Sequence, residues 1–188
     1  MLAAYAKHAP EVGYCQGMNY LVGLILIGVD MDEVSAFLIL ERLLGQHGQL
    51  GSLYAGQLTK LFDMSDHIYT WMLETEPELE QLISSHGVPL TTLLAGPFMA
   101  IFANILSIDT CLLVLDRLML YKEGALIDII KNVFVEMKPT LLRQFGQPRN
   151  EMDHRHKEDK SGSLQAYLVR LIYIEAEQSY LLFPKLRT

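Results

Sequence analysis

The chain holds two cysteines, one tryptophan and, in residues 1–121, only four basic side chains against thirteen acidic ones. Each scarcity excludes something. Cys15 and Cys111 sit far apart in apolar helical patterns and form no CxxC pair, so the sequence supports neither a disulfide framework nor a zinc site. Both read as small core residues in a reducing compartment. The formal charge of -7 runs against a nucleic-acid footprint, which needs clustered Lys and Arg. The longest apolar run, Leu21 to Val29, is about half of the ~20 residues a membrane span requires. The first residues lack the basic stretch and apolar run of a signal peptide. The expectation is a soluble, cytoplasmic chain. No GxxxxGKS/T, GxGxxG, GxSxG or HExxH pattern occurs, so nucleotide-binding, hydrolase and zinc-protease chemistry have no support. His154-Arg155-His156, beside Asp153, Glu158 and Asp159, is flanked by Arg and Lys that repel a cation. No metal and no cofactor is expected.

Strand alternation is almost absent too, and helical periodicity dominates. Asp32 reads as the N-cap of a helix through Leu44, stopped by Gly45 and Gly48. Gly51 to Gly56 reads as a loop. Leu58, Leu61, Phe62, Ile68, Trp71 and Met72 recur at helical spacing. Thr75 and Pro77 open a helix with the stripe Leu79, Leu82, Ile83 and His86, ended by Gly87. Pro89 and Pro97 bracket a short segment, after which Phe98, Ile101, Phe102, Ile105 and Leu106 form a core-facing helical stripe. Asp109 caps a helix to about Leu120. Leu126, Ile129, Ile130, Val133, Phe134 and Met137 repeat the stripe until Pro139 breaks it. Residues 143–162 read as an exposed polar loop or frayed helix. Ser163 caps a last helix with Leu164, Tyr167, Leu168, Leu171 and Ile172 inward. The prediction is one all-α domain over residues 1–188, with eight to ten helices and short connections.

Charge is uneven along the chain. Residues 1–121 balance at 4 basic minus 13 acidic, or -9, and residues 122–188 at 11 minus 9, or +2. The acidic first part reads as a solvated surface, or as one that suits a basic patch on a partner.

The most apolar segment is opened by Gly13-Tyr14-Cys15-Gln16-Gly17-Met18-Asn19-Tyr20. On one helix, Gln16, Asn19, Tyr20 and Gly23 would share a face, with Cys15, Met18, Val22 and Ile25 on another that packs. The amides then either bond a neighbouring loop's backbone, because burying them unpaired costs roughly 1–3 kcal/mol, or face a surface where a partner bonds them. The residues favour the first.

Glu11 to Asn19 resembles the YxQ motif of TBC domains, the GTPase-activating modules that act on Rab small GTPases. Leu2 to His8 resembles the helix leading into that motif. Met31-Asp32-Glu33-Val34-Ser35-Ala36-Phe37, Pro77-Glu78-Leu79, Phe98 to Phe102 and Asp116 follow in the family's order, and the resemblance runs to about Val133. It implies an irregular multi-helix fold, of which this chain carries mostly the C-terminal portion, truncated on its N-terminal side. It implies a GTP-bound Rab-type partner, a role in vesicle trafficking, and a place beside endomembranes through that partner. Such a protein activates a GTPase and has no substrate chemistry of its own. Residue by residue, Gln16 is the glutamine finger, Tyr14 the motif tyrosine that shapes the site, and Asn19 its binding-site neighbour. The family's arginine comes from an IxxDxxR motif that is absent here, and no arginine precedes Arg42. An arginine finger is worth on the order of 10³–10⁵ in rate, so activity of this chain alone should be weak or nil. Leu113 and Leu115 replace the Arg and Trp of the family's RxWD-like stretch. A Rab-binding protein without activity and an all-α scaffold are the alternatives. The helices bearing Leu2 to Tyr5 and Leu21 to Val29 expect partners from the missing part, so this chain alone should expose an apolar patch and self-associate.

Overall fold

The computed structural model describes residues 1–45, 50–55, 58–145, 164 and 166–168. Among them are nine α-helices and no strand: α1 Leu2–His8, α2 Met18–Gly28, α3 Glu33–Leu44, α4 Gly51–Tyr54, α5 Thr59–Thr75, α6 Pro77–Ser85, α7 Leu90–Met99, α8 Ile108–Tyr121 and α9 Glu123–Phe145. Residues 164 and 166–168 are helical as well. None of these helices is long and apolar enough to cross a membrane.

α2 is the middle of one half of the molecule. It packs on α3 on one side and α8 on the other, and α1 leans against it. Its sequence is apolar on nearly every face, as a helix with neighbours on two sides requires. Leu21, Val22, Leu24 and Ile25 are all buried by these intramolecular partners. α5 forms the second half with α6 and α7, and α9 joins the halves by packing on α8, α6 and α5. A single hydrophobic cluster runs through both. Two ion-pair groups fasten α9. Lys60 Nζ meets Glu123 Oε1 at 2.8 Å, and Lys138 Nζ lies 2.9 Å from both Glu76 Oε2 and Glu78 Oε2. Tyr5 anchors α1, buried against Phe37 with ring centroids 5.8 Å apart. Burial, reinforced by the carboxylates of Glu41 and Glu11, pushes its phenol up to about 12.

Several expected elements hold. Asp32 caps α3, its carboxylate accepting from the Val34 N–H and the Ser35 hydroxyl. These two bonds hold the Asp32 carboxyl below its ordinary range. α6 starts on Pro77 and buries Leu79, Leu82 and Ile83. The six inward residues of α9 predicted from periodicity are all buried, and so are Leu164 and Leu168.

Others do not. Gly51–Tyr54 is a buried helical turn, not a loop. The helix around Pro97 occupies the segment between the two prolines, runs through Pro97 and ends two residues later at Met99, short of the expected stripe. Gly96 has no Cβ to clash with the proline ring, so the chain stays helical into Pro97. Ile101 and Phe102, both fully buried, then take positive φ of 52° and 59° in an irregular elbow. Their spacing mimicked a helical stripe because burial alone made them apolar. α8 is capped by Ser107, whose hydroxyl accepts from the Thr110 N–H, and Asp109 sits in the first turn. Pro139 does not end α9, which continues to Phe145 and contains Arg143. Pro139 and Val135, the residue whose carbonyl loses its donor, both face solvent. Leu115 fills a core position and Leu113 is exposed. The expected stop at Gly48, the rest of the polar loop at 146–162, the His154–His156 cluster, Ser163, Leu171 and Ile172 lie outside the described residues.

Candidate functional site

α1 ends at His8, and the Val12 and Gly13 amides both donate to the Ala9 carbonyl, closing a turn. The chain then runs through Tyr14, Cys15 and Gln16 before α2 begins. Gly17 is the N-cap of that helix, with φ 104° and ψ -30°. Two bonds close this segment on itself. The Cys15 N–H donates to Met18 Sδ at 3.2 Å, and the Met18 N–H donates to the Cys15 carbonyl at 3.2 Å. Met18 is fully buried. Cys15 therefore faces inward, and its two chain neighbours, Tyr14 and Gln16, are exposed, Tyr14 by 59%.

Gln16 thus precedes α2 and does not lie on its face, which corrects the helical reading. Asn19, in the first turn, is also exposed. Among the described residues none accepts from or donates to either side-chain amide, so the favoured reading, in which a neighbouring loop's backbone bonds them, does not hold there. Tyr20 is 44% exposed, and a Cβ built on Gly23 meets nothing within 4 Å. The opposite face behaves as expected: Met18, Val22 and Ile25 are buried and Cys15 half-buried. Both cysteines are free.

The floor under this turn is the end of α7. A Cβ on Gly17 would lie 2.3 Å from the Met99 carbonyl oxygen and 2.7 Å from its carbon. Only glycine combines that backbone angle with that approach. The Met99 oxygen is also bonded from the other side, where the Tyr54 hydroxyl donates to it at 3.1 Å. Tyr54 is buried, and burial, with the Cys15 thiol beside it, pushes its phenol up. Sequence reading missed Tyr54 and Met99. A four-residue helix is too short to show periodicity, and these partners are 45 residues apart. The glycine pair at 13 and 17 around Tyr-Cys-Gln was the available signal of a tight turn.

Arg42 is exposed in the last turn of α3. No group of three metal-ligating side chains occurs among the described residues. α2 carries no acidic residue in its first turn, so its partial positive end stands beside Gln16 unneutralised from within that turn.

The Rab-GTPase-TBC domain model matches residues 1–142, and the chain belongs to that family. It is 35% identical over 144 residues to growth hormone-regulated TBC protein 1 of Xenopus tropicalis, an alignment covering 77% of this chain and 39% of that protein. It is 28% identical over 116 residues to Rab GTPase-activating protein eat-17 of Caenorhabditis elegans, covering 62% of this chain and 13% of that one. The chain spans about two fifths of the length of the growth hormone-regulated relative. The crystal structure of the Chlamydomonas flagellar RabGAP TBC domain superposes with a TM-score of 0.69 at 20% identity, over 96% of this chain and 54% of that one. That likeness carries the fold.

Proposed function

We propose that this chain engages a Rab-type small GTPase in its GTP-bound form and offers Gln16 to the GTPase's catalytic centre. The observation that carries this reading is the exposure of Gln16 on a turn whose backbone is held by the buried Met18 and by the close approach of Gly17 to the Met99 carbonyl. GTP hydrolysis is limited by orienting the attacking water and by charge on the transferring phosphoryl group. A glutamine amide has one carbonyl acceptor and two N–H donors, so Gln16 can accept from the water and donate to a phosphoryl oxygen. The positive end of α2 favours the same anion. Tyr14 lends an exposed ring beside the amide and shapes the contact. Asn19 offers a second amide to the partner. The membership in a Rab-GTPase-TBC family supports the choice of partner. Through that partner the chain would reach endomembranes and act in vesicle trafficking.

These 188 residues contain no IxxDxxR motif, and the expected stimulation by this chain alone is weak. Single-turnover GTP hydrolysis across a panel of Rab proteins tests the reading. A small acceleration that vanishes in Gln16→Ala is expected. Equal acceleration by both forms would remove Gln16 from the chemistry. Binding with no acceleration by either would make the chain a Rab-binding module.

Self-association belongs to the same proposal. Met31, two residues ahead of α3, and Val34 and Leu38 on α3 stand 65%, 70% and 64% exposed, and exposed apolar side chains of this kind favour association. Light scattering should report a mass that rises with concentration for the wild type and falls back in Leu38→Glu. A concentration-independent monomer would contradict it.

A further inference from the structure

The geometry points to Tyr54 as a positioning residue for Gln16, acting through the Met99 carbonyl on which the Gly17 backbone rests. This inference rests on the role of Gln16 proposed above.

α4 is built as a brace. Leu50, Gly51, Leu53 and Tyr54 are all buried, although the helix has only four residues. At one end a Cβ on Gly51 would come 2.2 Å from the Leu44 carbonyl oxygen, so α4 is seated on the last residue of α3. At the other end the Tyr54 hydroxyl donates to Met99, the last residue of α7. Carbonyls in the last turn of a helix have no intrahelical donor, so this hydroxyl supplies the Met99 oxygen with the partner it lacks inside α7. The same oxygen is the surface against which Gly17 is pressed. Its direction therefore sets how deeply the turn sits, and with it where the side chain one residue earlier points.

Tyr54 reaches nothing in the partner. It is 2% exposed, so its effect has to pass through the turn. Removing only its hydroxyl leaves a part-buried acceptor without this donor, and the Met99 peptide is then free to reorient toward another one. The turn loosens while the ring still fills its place. A mainly structural tyrosine would instead weaken the whole domain.

The test compares wild type, Tyr54→Phe and Ile130→Val, the last a truncation in the buried face of α9, away from the turn. The first readout is hydrogen exchange in the free chain. In Tyr54→Phe the amides of residues 14–20 should exchange about tenfold faster, the factor that corresponds to losing one hydrogen bond of ordinary worth, while those of α9 stay unchanged. Ile130→Val should show the reverse pattern. The second readout is stimulated single-turnover hydrolysis. Tyr54→Phe should lower the rate at saturating chain about tenfold and leave the half-saturating concentration unchanged. Unchanged exchange in residues 14–20, or faster exchange spread equally over α9, would overturn the assignment. So would local loosening with an unaltered saturating rate. If the wild type gives no stimulation, the role of Gln16 fails by that result alone, and the assignment of Tyr54 to Gln16 fails with it, even where the exchange pattern reports a loosened turn.

Discussion

Gly17→Ala is expected to lower the melting temperature by about 4–24 °C and to abolish any stimulation of GTP hydrolysis. Two independent effects add at this position. The backbone sits at φ 104°, a region that costs an L-residue about 1–3 kcal/mol. The new methyl group would also overlap the Met99 carbonyl, at 2.3 Å from its oxygen. The obstacle is backbone held by Tyr54, not a flexible side chain, so it has little room to yield. Forcing extra volume into packed structure costs about 1–3 kcal/mol. Together these give about 2–6 kcal/mol, and in a domain of this size each kcal/mol moves the melting temperature by about 2–4 °C. Calorimetry would check the first part. An alanine variant that melts with the wild type would mean that Gly17 does not lie against α7.

Phe102→Ala should destabilise the domain by about 3–5 kcal/mol, the usual range for deleting a buried phenyl ring. Phe102 is fully buried, meets Phe98 edge-on at 6.2 Å between centroids, and closes the elbow that follows α7. Its amide donates to the Pro97 carbonyl at 2.7 Å, and its own carbonyl accepts from the Ile105 and Leu106 amides at 2.8 and 2.9 Å. The elbow holds two consecutive non-glycine residues at positive φ, a conformation that persists only where packing enforces it. Removing the ring takes away that enforcement and leaves the strain of an alanine in the same place. Chemical denaturation would show a reduced midpoint. A loss under 1 kcal/mol would indicate that the elbow is held by something other than this ring.

The fold was legible where periodicity reports on one helix and one buried face. The inward residues of α6 and α9 could be read directly, because three or more apolar side chains recur on one stripe. Legibility failed where burial and helix part company. Ile101, Phe102 and Leu106 are buried in an irregular elbow, and their spacing imitates a helix. It failed again at Pro139, where a solvent-facing proline is tolerated inside α9. At the candidate site the residue types could be read and their setting could not. Gln16, Tyr14 and Asn19 were singled out from the order of residues around them. That Gln16 lies outside the helix follows from Gly17 and its contact with Met99. That contact joins segments about 80 residues apart and leaves no trace in local spacing.

The central claim is that Gln16 recognises the reacting phosphoryl group and not merely the surface of the GTPase. The most direct measurement is the affinity of wild type and Gln16→Ala for one Rab protein in two states, loaded with GTP and loaded with GDP plus aluminium fluoride, which stands in for the transferring phosphoryl. A group that acts in the transition state binds that state more tightly than the ground state. The wild type should prefer the aluminium fluoride state by about tenfold, near what one hydrogen bond to a charged oxygen contributes. Gln16→Ala should bind both states alike, with its affinity for the GTP state intact. The same preference in both proteins would contradict the account.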